Sequence, residues 1–152
     1  MKLTAYFIIL SFYVCSCNSS YKQAFSYNSE GFIDTRLGRN VFKITYNGAA
    51  FTSLDKAVDF CLLRCAEICL ERGYKYFRIT KDSSGIYSYV TKNPDVYGHF
   101  QGQPVIISGG YSEDIPRAVA QNIIVCESQV PSGEKEFLDA KKVYKFLKQR
   151  YE

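Results

Sequence analysis

Histidine is almost missing from this 152-residue chain. His99 is the sole imidazole, so no His-paired nucleophile can be built without it. No serine, aspartate or cysteine motif near it has the form of a nucleophile elbow or a triad, and Gly98-His99-Phe100-Gln101-Gly102 reads as an exposed loop. A large excess of one sign of charge is missing too. Nineteen Lys and Arg against fifteen Asp and Glu give a formal net charge of +4, which is no nucleic-acid footprint. The cysteines form no C-x-x-C pair, and there is no internal repeat. These absences leave no catalytic residue, no cofactor and no metal to assign, and the chain is not expected to be an enzyme.

Apolar runs long enough to cross a membrane are lacking as well. The N-terminal stretch from Leu3 to Val14 falls short of the roughly 20 residues a spanning helix needs. With Lys2 before it and Val14-Cys15-Ser16-Cys17 closing it, it has the layout of a bacterial lipoprotein signal peptide. Val14 at −3, Ser16 at −1 and Cys17 at +1 satisfy the lipobox, although Cys15 at −2 is unusual. A register anchored on Cys15 fits worse, with Phe12 at −3 and Val14 at −1. Val14 and Ser16 also suit the ordinary signal peptidase, but the cysteine after the cut favours lipid attachment at Cys17.

Each buried methylene contributes about 0.8 kcal/mol, so two or three acyl chains give a stable anchor. Asn18 is not the Asp that commonly retains lipoproteins in the inner membrane, which favours an outer-membrane address facing the periplasm. The reading is then a signal peptide over residues 1–16, a lipidated tether rich in Ser, Tyr and Asn over 17–30, and one domain over 31–152.

Within that domain, Val41 to Tyr46 alternate as a half-buried strand that sends Phe42, Ile44 and Tyr46 to one side, with Asn47-Gly48 as a turn signal. Thr52 is the expected N-cap of a helix, with Asp55 at capping-box spacing. Apolar residues at 54, 57, 58, 61, 62, 65, 68 and 69 give that helix a core stripe, and Gly73 closes it. Phe60, Leu63 and Leu70 lie off the stripe, so the helix is either covered on a second side or offers a contact surface.

Strands are expected over 74–80 and 86–91, joined as a hairpin by Asp82-Ser83-Ser84-Gly85. From Lys92 to Pro116 only Val105-Ile106-Ile107 is strand-like. Ala118 to Cys126 is the last expected strand, with Val119, Ile123 and Val125 on one face. A closing helix over 139–150 carries Ala140, Val143, Tyr144 and Leu147 at helical spacing. The order predicts an α+β fold: a single domain whose mostly antiparallel β-sheet packs against one long core helix and a C-terminal helix.

Gly31-Phe32-Ile33-Asp34-Thr35-Arg36-Leu37-Gly38, Phe42-Lys43-Ile44-Thr45-Tyr46-Asn47-Gly48, Phe51-Thr52-Ser53 and the run from Leu62 to Phe77 resemble a group of small, functionally uncharacterised bacterial lipoproteins. Those proteins share a "GY-S-T-LG … F-V-F-GNG-TS … LLRAAELTLE-GY-YF" core. The likeness is good over residues 31–80 and looser over 117–150, where Leu138-Asp139-Ala140-Lys141-Lys142-Val143 is similar to "YDAREV". The resemblance implies export, lipidation and an α+β domain. It brings no catalytic motif, and this chain departs from it at Cys61, Cys65 and Cys69, where small or apolar residues are expected.

Those three cysteines recur every four residues on the apolar helix face, so they read as small buried hydrophobes. A thiol or metal site with Cys126 as fourth member is the alternative. Export leaves disulfides open, and a link from the helix to Cys126 is the only attractive one. Tyr87, Tyr89, Tyr97, Phe100 and Tyr111 crowd a segment with few aliphatics, and aromatic faces stack on sugars or peptides. Tyr97, Phe100 and Tyr111, in the stretch richest in Gly and Pro, are the candidate partner-binding residues, for a protein or a glycan of the envelope. Lys141, Lys145 and Lys148, with Lys142 beside them, read as a solvated helix face.

Overall fold

A computed structural model describes residues 21–26, 29–92, 96–101, 103–110, 112–131, 133–134 and 136–151. The expected signal peptide, the expected lipid attachment at Cys17 and the candidate Tyr111 lie outside the described residues. The fold is α+β. Strands β1 (Gly31–Arg36) and β2 (Val41–Ala50) lead into helix α1 (Leu54–Glu71), followed by β3 (Tyr76–Asp82), β4 (Gly85–Lys92), β5 (Val96–Phe100), β6 (Gln103–Ser108), β7 (Ser112–Glu127), β8 (Leu138–Asp139) and α2 (Ala140–Tyr151). The main sheet runs β1-β2-β7-β3-β8, with β4 also on β7 and every pair antiparallel. α1 lies against β2, β7 and β3, and α2 packs on α1.

The alternation of β2 holds: Phe42, Ile44 and Tyr46 are buried under α1. The expected turn at Asn47-Gly48 does not form. Gly48 is needed for close approach instead, since a Cβ there would stand 2.8 Å from Thr52 Cβ and 2.9 Å from the Ala118 carbonyl. The strand therefore runs on, and the chain turns at Phe51, in the left-handed region at φ 68°.

Capping of α1 falls one residue later than expected, on Ser53, whose Oγ accepts from the Lys56 N–H at 3.3 Å. The other end is a Schellman motif: Gly73, at φ 80°, donates to the Leu70 carbonyl and Tyr74 to that of Cys69. Phe60 and Leu63, off the expected stripe, are buried, because α2 covers α1 on a second side. The Phe60 ring meets Tyr46 at 5.2 Å and Tyr151 at 4.9 Å. Leu70 stays exposed.

The expected hairpin between residues 80 and 86 is a continuation. β3 pairs with 122–127 of β7 and β4 with 112–119, so the two lie end to end along one side of that strand. Asp82 Oδ1 accepts from the Ser84 N–H and hydroxyl, and the Ser83 N–H still donates to Gln121. This Asx turn jogs the chain without reversing it, and Gly85 has no positive φ of the kind a tight hairpin uses.

β7 has apolar residues on both faces. Val119, Ile123 and Val125 share one face as their spacing says, but it is the alternate face, Ala118, Ala120, Asn122, Ile124 and Cys126, that is buried under α1. Register with β2 decides this, pairing Phe42 with Ile124, Ile44 with Asn122 and Tyr46 with Ala120.

The fold starts earlier than residue 31. Lys22 accepts from the Phe32 N–H at 2.9 Å and Ala24 donates to Phe32 at 3.0 Å, so residues 21–24 belong to the domain and not to a free tether. Tyr21 packs on Phe32 and Phe60 and donates its hydroxyl to Glu67. Arg64 ties this corner together, meeting Asp34 at 2.7 Å and Glu67 and Glu71 at 2.9 Å beneath the Phe32 ring. Between Lys92 and Ser112 the chain forms a two-stranded hairpin, β5 with β6, where only one strand-like run was legible. Tyr97, His99 and Phe100 are therefore on a strand rather than in a loop, and the turn follows at Gln101, φ 51°.

Candidate binding surface

β4 and the first half of β7 form a ribbon that continues the sheet, and its two faces differ. Pairing Ile86 with Ala118, Ser88 with Pro116 and Val90 with Asp114 sets these residues on the side where α1 sits farther along. Ile86 is 66 % exposed and Val90 60 %, values far from those of the core positions on the same face. Beside them Phe51 projects entirely into solvent. Its left-handed backbone costs a non-glycine residue about 1–3 kcal/mol. The turn is held by the Thr52 N–H donating to Ala49 at 3.1 Å and by the close seat of Thr52 on Gly48.

Ala50, Phe51, Thr52, Ile86, Pro116 and Ala118 line a cleft of about 340 Å³ on this face. Its wall is mostly apolar. Two groups break that character: the Thr52 hydroxyl, buried without a hydrogen-bond partner, and the exposed carboxylates of Glu113 and Asp114. A buried hydroxyl left unsatisfied is costly, so a ligand that reaches it gains a hydrogen bond. The cleft can thus take an apolar side chain with a cation beside it.

On the opposite face Tyr87 and Tyr89 flank a smaller, polar cleft of about 240 Å³, lined also by Thr45, Asn47, Ser83 and Gln121. The Arg117 guanidinium lies 5.5 Å from the centre of the Tyr89 ring. Of the sequence-derived binding residues, Tyr97 and Phe100 occupy β5 beyond this ribbon, and Tyr111 is outside the described residues. The residues that sequence reasoning passed over are Phe51, Ile86 and Val90. The signal was present in Gly85–Lys92, which alternates apolar and aromatic residues on both faces with no helix behind it to cover either.

The cysteines lie in the core. Cys61, Cys65, Cys69 and Cys126 are free thiols and fully buried. Cys61 donates to the Ile44 carbonyl at 3.6 Å and Cys69 to that of Tyr76 at 3.3 Å. Burial pushes the Cys65 thiol up, with its hydrogen bond to Cys61 adding to that, while Asn122 draws it down. The closeness of the Cys69 and Cys126 thiols raises Cys69 and lowers Cys126. Among the described residues no three His, Cys, Asp or Glu side chains gather into a group that could hold a metal ion. Lys141, Lys142 and Lys145 are exposed on α2, and Lys148 is half-buried. No described helix is long and apolar enough to cross a membrane.

These features define a class, a single α+β domain with a ribbon that leaves apolar surface uncovered. No family model, curated protein or solved structure matches the chain.

Proposed function

We propose that the chain is a lipid-anchored protein of the bacterial cell envelope, held by a diacylglyceryl group on Cys17 and facing the periplasm from the outer membrane, whose β4–β7 ribbon docks a protein partner. It works by binding and not by catalysis. One observation carries the docking: fully exposed Phe51, in a left-handed turn, stands at an apolar cleft of about 340 Å³. Exposed apolar side chains gathered at a concave site are a common mark of an interaction surface. The carboxylates of Glu113 and Asp114 favour a segment with Lys or Arg beside its apolar anchor, and disfavour an anionic lipid surface. The lipobox and the resemblance to small bacterial lipoproteins support the anchor.

A double substitution Phe51→Ala with Ile86→Ser tests the docking. It removes exposed apolar anchors, each worth about 2 kcal/mol if it is a true hot spot, and it leaves the core intact. Recovery of a crosslinked envelope partner should fall at least tenfold with circular dichroism unchanged; unchanged recovery contradicts the proposal. Labelled fatty acid tests the anchor: wild type should incorporate it and Cys17→Ser should not. A second reading, a glycan stacked on Tyr87 and Tyr89, rests on the polar lining of the other cleft. It predicts that Tyr89→Ala, and not Phe51→Ala, abolishes partner recovery.

A further inference from the structure

Cys69 ends the core stripe of α1, and Cys126 lies near the end of β7, on the face that α1 covers. They arrive together by two routes. The Cys69 thiol reaches the Tyr76 carbonyl at 3.3 Å, and Phe77, the next residue along β3, is the cross-strand partner of Cys126. The two thiols are close enough for each to perturb the other, while the Cys69 proton is directed at the Tyr76 carbonyl. Cys61 and Cys65 also touch, but one helical turn apart on the same helix, where a bond would join no two elements.

We propose that Cys69 and Cys126 form a disulfide when the chain folds in the presence of a disulfide oxidant, fastening α1 to β7, while Cys61 and Cys65 remain thiols. The oxidant is a small-molecule disulfide or the disulfide of a thiol oxidoreductase. One protein thiolate attacks it, forming a mixed disulfide and releasing one oxidant sulfur as a thiolate. The second protein thiolate attacks the mixed disulfide and releases the other sulfur. Two protein thiols are oxidised, the oxidant disulfide is reduced to two thiols, and the two protons leave with them. Both sulfurs are fully buried in the folded chain, so exchange takes place before α1 closes on the sheet, and the finished bond is shielded from reductant. The inference does not rest on the docking surface.

The test refolds the full chain from urea in a mixture of oxidised and reduced glutathione, alkylates free thiols, and maps the peptides after cleavage behind Glu67, which separates Cys65 from Cys69. The expected peptides contain one linked pair, Cys69 with Cys126, two hydrogens lighter than the reduced peptides, with Cys61 and Cys65 alkylated and no bond from any of these four to Cys15 or Cys17. Dithiothreitol should leave the bond intact in the folded protein and open it in urea, and its loss should lower the melting temperature by about 5–10 °C. Cys61→Ala should keep the bond and Cys69→Ala should abolish it. Alkylation of Cys69 and Cys126 in the refolded wild type, or a bond from Cys126 to Cys61 or Cys65, overturns the proposal even if a variant fails to fold.

Discussion

The half of the sheet beneath α1 and the β4–β7 ribbon have the same strand chemistry and different fates. Beneath the helix, β2 and β7 interlock Phe42, Ile44, Tyr46 and Ile124 with the apolar face of α1, and each is at most 2 % exposed. Along the ribbon the same alternation puts Ile86 and Val90 on the matching face, with more than half of each side chain left in solvent. Strand periodicity decides which residues share a face, and whether that face becomes core depends on a second layer arriving over it. Where one does not arrive, the apolar face stays in solvent.

The largest expected effects lie under the helix. Cys65→Asp puts an unpaired charge in a fully buried site and should prevent stable folding, seen as loss of the cooperative urea transition. Cys65→Ala should cost only about 1 kcal/mol, as expected for a small core filler. Next comes Arg64→Met. The guanidinium is only 14 % exposed and satisfies three carboxylates, so its removal leaves Asp34 and Glu67 half-buried without their cation. A loss of about 2–3 kcal/mol by urea titration is expected, less than for a fully buried pair. Stability unchanged in that variant would show that residues 21–36 are held by backbone pairing alone.

The ribbon should respond in the opposite sense. Phe51→Gly relieves a left-handed backbone and removes a fully exposed ring, so stability should rise by up to about 1 kcal/mol while partner recovery falls. A loss of stability would mean that the ring packs somewhere in solution and that the contrast between the two halves is overstated. The smallest effect is expected for Val90→Ser, within about 0.5 kcal/mol of wild type.

Legibility in the sequence divides along the same line. The core helix, β2 and the closing helix were readable because each carries an apolar periodicity strong enough to mark its main buried face, although α1 is also covered on a second side by α2. Phe42, Ile44 and Tyr46 on β2, and Ala57, Cys61, Cys65 and Cys69 on α1, point where their spacing says. Periodicity could not choose between the two faces of β7, since apolar residues occupy both and only its register with β2 selects Ala120, Asn122 and Ile124. Asp82-Ser83-Ser84-Gly85 has the composition of a reversal, yet β7 is long enough to pair with the strands on both sides of it, so the chain goes straight on. Of the proposed surface, the sequence singled out Tyr87 and Tyr89 on the same strand but on its other face, and its preferred residues Tyr97, Phe100 and Tyr111 lie off the ribbon or outside the described residues. Phe51 was invisible, because its exposure follows from the close seat of Gly48 on Thr52, a contact made only in the folded chain.

Position-resolved crosslinking in living cells tests the central claim most directly. A photoreactive residue is placed at Ile86 on the ribbon, and in a second strain at Lys145 on exposed α2, each with and without Glu113→Lys and Asp114→Lys. The account predicts one discrete protein adduct from position 86, lost on charge reversal, and no such adduct from position 145. The same adducts from both positions, or an adduct at 86 that survives charge reversal, would contradict it.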